Sequence, residues 1–319
     1  MFRLIATAAA ALLAAFTTVA AAQDGSIRLV LGFPAGATAD ILTRVVADHM
    51  RQTLGQPVIV ENKVGAGGRV ANEAVKAARP DGTTLLMTPF ATMSIYPHSF
   101  GELRYDPFKD YEPVAHLTDF HSAFAVGAGV PATTLKEYVA LVKKNPKMGD
   151  YASPAAGSVP HFLGVMFARA AGIEVTHVPY KGTAPALQAL AAGEIAAAIL
   201  LSADIGMLVK SGKARALAMS GAARDPLFPD VPTFREQGYD IEGTGWYALL
   251  APAGVPQGVL ERLSKAAIAA IRDPEVNRKL TTFGLQPTGH GPAELARIMK
   301  ADYDKWGAVI RASGWKPQQ

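Results

Sequence analysis

The 319-residue chain contains no cysteine. This absence excludes disulfide bridges, thiolate metal ligands and cysteine nucleophiles, and it excludes membrane anchoring through an acylated cysteine. The fold therefore has to be held together by its apolar core alone. Hydrophobic residues make up 50% of the sequence, and a chain of this length can bury most of the surface that its unfolded form exposes.

Concentrated charge is also missing. The formal net charge is +4, and the lysines and arginines are scattered without forming a basic block or a stripe interleaved with aromatic residues. We therefore predict no nucleic-acid partner. The seven histidines never occur at the spacing of zinc ligands, so we predict no metal site.

The motifs of catalysis and cofactor binding are incomplete. The glycine-rich segment 65–68 lacks both the dinucleotide and the Walker spacing, so we interpret it as a turn into a helix and predict no cofactor. Gly157 and Ser158 lack the second glycine of a nucleophile elbow. Ser158 and His161 are spaced to share one helix face, but no acidic orienting group or oxyanion-hole motif accompanies them. A hydrolase that uses this pair is a remote alternative, and we predict that the protein is not an enzyme.

The first residues have the order of a secretory signal. A short basic start ending at Arg3 precedes an uncharged run over 4–20 and the small residues Ala20, Ala21 and Ala22, as signal peptidase requires. A membrane anchor is the alternative, but this run is shorter and richer in alanine than a spanning helix. We predict a signal peptide over 1–22, a mature chain from Gln23 and a location in the periplasm.

The apolar pattern alternates between strands and helices. It predicts strands at 27–33, 58–60 and 84–87 with helices at 40–54 and 70–78 between them, which is typical of βαβ units and a parallel sheet. A second set follows, with strands at 123–126, 175–178, 195–200, 214–219 and 246–251 and helices at 135–144, 161–171, 184–192, 257–271 and 292–312.

This restart predicts two α/β lobes. We assign 23–121 together with 244–319 to a discontinuous first lobe, and 122–243 to a second lobe inserted into it. Two crossings between lobes form a hinge, and the cleft between the lobes is a common place for a ligand.

Two loops carry the candidate chemistry. The first, 34–40, joins a strand to a helix N-terminus, where unpaired backbone N–H groups and the helix dipole favour an anion. Here Gly36 permits close approach of the backbone, Thr38 caps the helix or contacts the ligand, and Asp40 complements the dipole. An ordinary strand-to-helix loop stays open as the alternative, since such loops are common in α/β folds.

The second loop, 153–161, has the same expected architecture. Ser153 and Ser158 bring hydroxyl groups, Gly157 brings backbone access, and Pro160 suits the first turn of a helix. His161 either donates a hydrogen bond or is structural. One helix-capped anion cradle on each lobe would let a closed cleft grip both ends of a dicarboxylate.

A series of short motifs, each weak alone, occurs in an order that resembles one known family. The motifs are FPAG at 33–36, LGQPV at 54–58, VENK at 60–63, GAGG at 65–68, ARPDGTT at 78–84, YDP at 105–107, YASP at 151–154, HVPYKG at 177–182, SGKARALA at 211–218, PDVPT at 229–233 and APAGVP at 251–256. The mature chain thus resembles the Bug-type receptors of tripartite tricarboxylate transporters.

The resemblance implies a two-lobed periplasmic binding protein of type II, the "Venus flytrap" fold. It also implies a monomer that delivers a small carboxylate to a transporter with one large and one small integral-membrane subunit, the carboxylate often held through water. The residues expected at the ligand are Phe33, Pro34, Gly36, Ala37, Thr38, Asp40, Thr88 and Phe90 on the first lobe, and Ser153, Ala155, Gly157, Ser158, His161, Tyr180, Ser202 and Asp204 on the second.

One position departs from the family pattern. Where the family usually has an aspartate that faces the cleft, this chain has Leu200, with Ser202 and Asp204 just beyond it as possible substitutes. Loss of the acid argues against a ligand with an ammonium group. It favours a carboxylic acid without an amino group, aliphatic or aromatic. Phe90 and Phe120 either line the cleft or pack in the core. A receptor that presents its ligand to a membrane histidine kinase is the alternative to transport.

Overall fold

A computed structural model describes residues 25–316; the predicted signal peptide lies outside the described residues. The described chain is an α/β protein with two mixed sheets and ten α-helices. No helix within this range is both long and apolar enough to cross a membrane.

The first sheet has six strands in the order β11-β4-β10-β3-β1-β2. These strands are β1 (Ile27–Leu31), β2 (Val58–Asn62), β3 (Thr84–Pro89), β4 (Tyr111–Phe120), β10 (Gly245–Pro252) and β11 (Leu285–His290). β1 pairs in parallel with β2 and β3, whereas β10 runs antiparallel to both β3 and β4, and β11 antiparallel to β4. The predicted parallel arrangement of the strands at 27–33, 58–60 and 84–87 is confirmed, and β10 adds antiparallel pairs because it enters from the other sheet and not through a βαβ crossover.

Six helices accompany the first sheet. They are α1 (Thr38–Leu54), α2 (Arg69–Lys76), α3 (Tyr96–Ser99), α8 (Gln257–Arg272), α9 (Pro274–Thr282) and α10 (Pro292–Ala312). A π-helical turn over Ala91–Ile95 leads into α3. The glycine-rich segment 65–68 is a turn into α2, as predicted. Its close approach to β1 needs glycine, since a Cβ on Gly32 would lie 2.5 Å from the Cα of Gly68.

The second sheet has five strands in the order β7-β6-β8-β5-β9. They are β5 (Ser122–Gly127), β6 (Tyr151–Ser153), β7 (His177–Pro179), β8 (Ala197–Leu201) and β9 (Ala214–Met219), accompanied by α4 (Leu135–Lys144), α5 (Val159–Ala171), α6 (Thr183–Ala192) and α7 (Ser202–Lys210). This sheet is also mixed: β6 is parallel to β7 and β8, and β5 is antiparallel to β8 and β9.

The chain passes between the two sheets at two places. His121 alone separates β4 from β5, and residues 220–244 lead back from β9 to β10. His121 is buried; its carbonyl accepts the Ser202 N–H at 3.0 Å, and its ring lies 3.1 Å from the side-chain nitrogen of Gln286. Residues from both sheets thus meet at the crossing. The residue limits that we assign to the lobes stay a prediction.

Several elements escaped the sequence analysis. The longest is β4, in which Pro113, His116 and Thr118 interrupt the apolar pattern, although His116 and Thr118 are buried. The strands β6 and β11 and the helices α7 and α9 were also missed. Polar residues in a buried strand interrupt the apolar pattern from which a strand is predicted, because some of its buried positions are then polar.

The close contact of α5 with β6 gives a test of core packing. A Cβ on Gly164 would lie 2.2 Å from Cζ of the buried Tyr151, whose hydroxyl donates to the His161 carbonyl at 2.7 Å. We expect Gly164→Ala to lower the free energy of unfolding by about 1–3 kcal/mol through overpacking, as measured by urea denaturation.

Gly258→Ala in α8 is the matched control, since no heavy atom lies within 4 Å of its added Cβ. Alanine should there stabilise the helix by up to about 1 kcal/mol. Equal stabilities of the two variants would contradict the packing described for α5.

Candidate functional site

The first loop is organised by the carboxylate of Asp40. One oxygen accepts the N–H of Gly36 at 2.9 Å and Nε of Arg44 at 2.8 Å. The other accepts Nδ2 of Asn62 at 2.9 Å, and the same amide group donates to the Phe33 carbonyl at 3.0 Å. Asp40 is 2% exposed. Its carboxylate therefore shapes the loop from within, a more specific role than the predicted complement to the helix dipole.

These contacts keep Asp40 ionised. Burial by itself raises the pKa of this carboxyl, but hydrogen bonds from Arg44, Gly36 and Asn62 outweigh it, and the pKa lies below its ordinary value. A charged carboxylate is the stronger acceptor, so the loop is held most firmly in this form.

The N-terminus of α1 is open. Ala37 is the N-cap residue, its backbone is extended, and no side chain caps the helix. Within residues 25–316, the N–H groups of Thr38, Ala39 and Asp40 have no hydrogen-bond partner, while Pro34, Ala35 and Gly36 are exposed. Backbone donors and the positive end of the helix dipole thus lie next to the exposed residues 34–36, an arrangement that favours an anion.

The second loop bonds two of its backbone donors internally, those of Gly157 and His161. Ser158 is the N-cap of α5: its hydroxyl donates to the Ala155 carbonyl at 2.7 Å and accepts the His161 N–H at 3.4 Å. The Gly157 N–H donates to Nδ1 of His161 at 3.2 Å, and Pro160 has no N–H. The two loops therefore differ in their capping, since a side chain caps the helix in the second loop and none does in the first.

A stacked histidine pair supports the second loop. The rings of His161 and His177 lie 3.9 Å apart at 22°, and Nε2 of His177 lies 2.6 Å from the Ser153 hydroxyl, which also donates to the Ala155 carbonyl at 2.9 Å. Burial lowers the pKa of His161 to about 4, and burial together with His161 lowers that of His177 to about 3. Both rings are thus neutral at neutral pH.

The tautomer of His161 follows from its partner. Because Nδ1 accepts the Gly157 N–H, the ring proton lies on Nε2. Within the described range, Nε2 of His161 forms no hydrogen bond. This N–H is therefore a donor without a partner within residues 25–316.

The geometry removes the hydrolase alternative. The Ser158 hydroxyl contacts the backbone of Ala155 and His161 and not the imidazole, whose Nδ1 is occupied by Gly157. A nucleophile needs a hydrogen bond to its general base, and this pair has none.

Four residues expected at the ligand lie in the interior. Ser153 and Thr88 are buried, and the Thr88 hydroxyl lies 2.6 Å from that of Thr92. Phe90 is buried among Phe120, Trp246 and Trp306. Ser202 is 1% exposed and donates to Asp225 at 2.5 Å. The contacts that the structure shows for these four side chains are with other protein groups, and direct contact with a ligand stays a prediction for them.

Leu200 also points away from a ligand. It is fully buried in the apolar cluster of the second sheet, together with Ala123 and Leu190. An aspartate there would place a charge in the core.

Asp204 and Tyr180 are half-buried. Asp204 lies in the first turn of α7, and burial raises its pKa. Burial and, secondarily, the Asp204 carboxylate raise the pKa of Tyr247, which belongs to the first sheet. Asp204 therefore lies close to residues of both sheets.

Sequence reasoning missed the residues that support the loops. Asn62 and Arg44 hold Asp40, and His177 supports the second loop. The only signal was the occurrence of Asn62 and His177 within the quoted family motifs. Their roles depend on contacts between segments that are distant in sequence.

The chain forms two mixed sheets with their helices and passes between them at two crossings. One part has an open helix N-terminus and the other has a capped loop. This is the architecture of a two-lobed solute-binding protein. The "Tripartite tricarboxylate transporter family receptor" family matches residues 42–315. The chain belongs to this family of periplasmic solute-binding receptors and is not an enzyme, which confirms the resemblance seen in its motifs.

Solved structures agree over nearly the whole chain. The periplasmic binding protein BugD is 30% identical with a TM-score of 0.79, covering 92% of this chain and 99% of its own. Rpa4515 of R. palustris, solved with adipate, is 28% identical with a TM-score of 0.83, covering 92% and 98%. MatC of Rhodopseudomonas palustris, solved with bound malate, is 32% identical with a TM-score of 0.77, covering 89% and 98%.

The role of Asp40 can be tested by stability. We expect Asp40→Asn to lower the free energy of unfolding at pH 7 by about 1–3 kcal/mol, because an amide cannot replace a carboxylate that accepts from three donors. Asp48→Asn is the control on the same helix, since this side chain is 74% exposed and its loss should cost less than about 0.5 kcal/mol. Equal costs in chemical denaturation would contradict the assigned role.

The histidine pair predicts a loss of stability in acid. Folding lowers the pKa of His161 from about 6.5 to about 4. As the pH falls through this range, the unfolded chain therefore binds a proton that the folded chain does not. The free energy of unfolding should therefore decrease over this range. We expect His161→Asn, whose side-chain oxygen can still accept the Gly157 N–H, to show a smaller drop in Tm between pH 7 and pH 4.5 than the parent protein. An equal drop would show that His161 is not the responsible group.

Proposed function

We propose that this receptor captures a small non-amino carboxylate between two lobes, 23–121 with 244–319 and 122–243, after export directed by residues 1–22. The captured acid then passes to the integral-membrane subunits, one large and one small, of a tripartite transporter, and the receptor acts as a monomer. The adipate and malate in the two related structures support the ligand class.

The observation that carries this proposal is the open N-terminus of α1. Three partnerless N–H groups, those of Thr38, Ala39 and Asp40, lie beside exposed backbone, and no arginine is needed to neutralise the anion. We propose that Phe33, Pro34, Gly36, Ala37 and Thr38 surround one carboxylate, with Asp40 holding their backbone in place.

The second loop faces the other end of the ligand in this proposal. Ala155, Gly157 and Ser158 supply its surface, and His161 supplies a neutral Nε2–H donor. Tyr180 and Asp204 complete the cleft. A neutral donor suits a carboxylate, a hydroxyl or a carbonyl group, so this end is less selective for charge than the first loop.

An ammonium group finds little support in the proposed site. Burial disfavours the ionised form of Asp204, which is the form that would pair with a cation. This favours simple acids over amino acids.

A thermal-shift screen tests the ligand class. Purified mature protein is heated with adipate, malate, benzoate, glutamate or glucose. A ligand at about 100 times its Kd should add roughly 2.7 kcal/mol of stability. We expect one or more of the first three acids to raise Tm. Stabilisation by glutamate or glucose alone would overturn the proposal.

A pair of variants isolates the backbone donor. Thr38 is the first residue of α1, where proline is well tolerated, and Ala37 before it has φ −72° and ψ 160°, which suits a residue preceding proline. Thr38→Pro removes the N–H together with the hydroxyl, whereas Thr38→Ala removes the hydroxyl alone. We expect Thr38→Pro to bind the stabilising acid about 10- to 100-fold more weakly than Thr38→Ala, as for loss of a hydrogen bond to a charged group.

Isothermal titration of both variants gives the comparison, with their melting curves as the check on folding. Equal affinities of two folded variants would show that the Thr38 N–H does not contact the ligand.

A further inference from the structure

The last helix places a tryptophan between the two sheets. α10 packs against β4 of the first sheet and contacts α5 beside the second. After the helix, Gly314 takes a left-handed conformation with φ 72°, and the Trp315 N–H donates to the Ser313 hydroxyl at 3.2 Å. This turn directs the chain back toward the second loop.

Trp315 contacts helices that accompany both sheets. Its indole N–H donates to the Ser99 carbonyl at the end of α3, at 3.3 Å. On the other side, its ring centroid lies 5.1 Å from that of His161 and 6.0 Å from that of Phe162, in edge-to-face arrangements. The indole thus connects a helix of the first sheet with the first turn of α5.

The contact reaches the second loop itself. A Cβ added to Gly157 would lie 3.6 Å from the Trp315 ring and 4.0 Å from Cβ of Ser99. The Trp315 ring also packs against His161, whose Nδ1 fixes the Gly157 N–H. The position of this loop relative to the first sheet and its helices therefore depends on Trp315.

We propose that Trp315 is an interlobe brace, a positioning residue that holds the second loop against the end of α3 and favours the arrangement in which the lobes are close. It acts through His161 and Gly157 and does not contact the ligand. The effect on affinity rests on the proposed function, whereas the effect on lobe separation does not.

The absence of cysteine allows a direct measurement of lobe separation. Gln52 on α1 and Lys143 on α4 are exposed, so Gln52→Cys with Lys143→Cys provides one spin label on each layer. We expect Trp315→Ala to lengthen or broaden the distance distribution in the absence of ligand. Trp315→Phe keeps an aromatic ring without the N–H donor and should give an intermediate distribution.

Affinity is the second readout. The probe is adipate or malate, whichever stabilises the parent protein, measured by isothermal titration. We expect Trp315→Ala to raise Kd about tenfold, as for loss of one aromatic contact, and Trp315→Phe to recover part of the loss. Lys316→Ala, the exposed neighbour, is the control and should leave both readouts unchanged.

The outcomes are separable. Unchanged distances in a folded Trp315→Ala variant would overturn the brace, whatever ligand is bound. A changed distance without binding of any tested acid would support the brace and count against the proposed function. If Trp315→Ala lowers Tm sharply, the comparison of Trp315→Phe with the parent protein decides, and equal distances there would overturn the role of the N–H donor.

Discussion

The buried carboxylate of Asp40 accepts hydrogen bonds from the loop backbone, from its own helix and from the end of β2. Since one ionised group joins three segments, the open end of α1 keeps its shape without a capping side chain. A side-chain cap would have occupied the donors that the proposed site requires. The acid that looks unsuited to an anion site is thus what allows the backbone beside it to bind one.

The two loops solve the same structural problem in different ways. In the first loop the N–H groups at the start of α1 are free within the described residues, and the buried Asp40 carboxylate holds the backbone around them. The second satisfies the N–H groups of Gly157 and His161 through His161 and Ser158, and a neutral imidazole donor remains beside its backbone. A ligand with one firmly held end and one loosely specified end fits this asymmetry.

Local patterns predicted much of the fold. The helix over 135–144 and that over 292–312 match α4 and α10 at both ends, because apolar spacing, Thr134 and Pro292 mark them clearly. The strand β4 was missed since buried polar residues obscure its alternation. In the site, the positions of both loops were predictable from strand-to-helix punctuation. The partners Asn62, His177 and Trp315 were not, because nothing local encodes a contact between distant segments.

The strand order has a consequence for folding. The second sheet is built from one continuous segment between Ser122 and Met219, so all its partners are available early. The first sheet has β10 at its centre, between β3 and β4, and this strand follows the whole second sheet in sequence. Its closure requires contacts of long sequence separation, which form slowly. The strand order therefore lets the second sheet form before the first one closes.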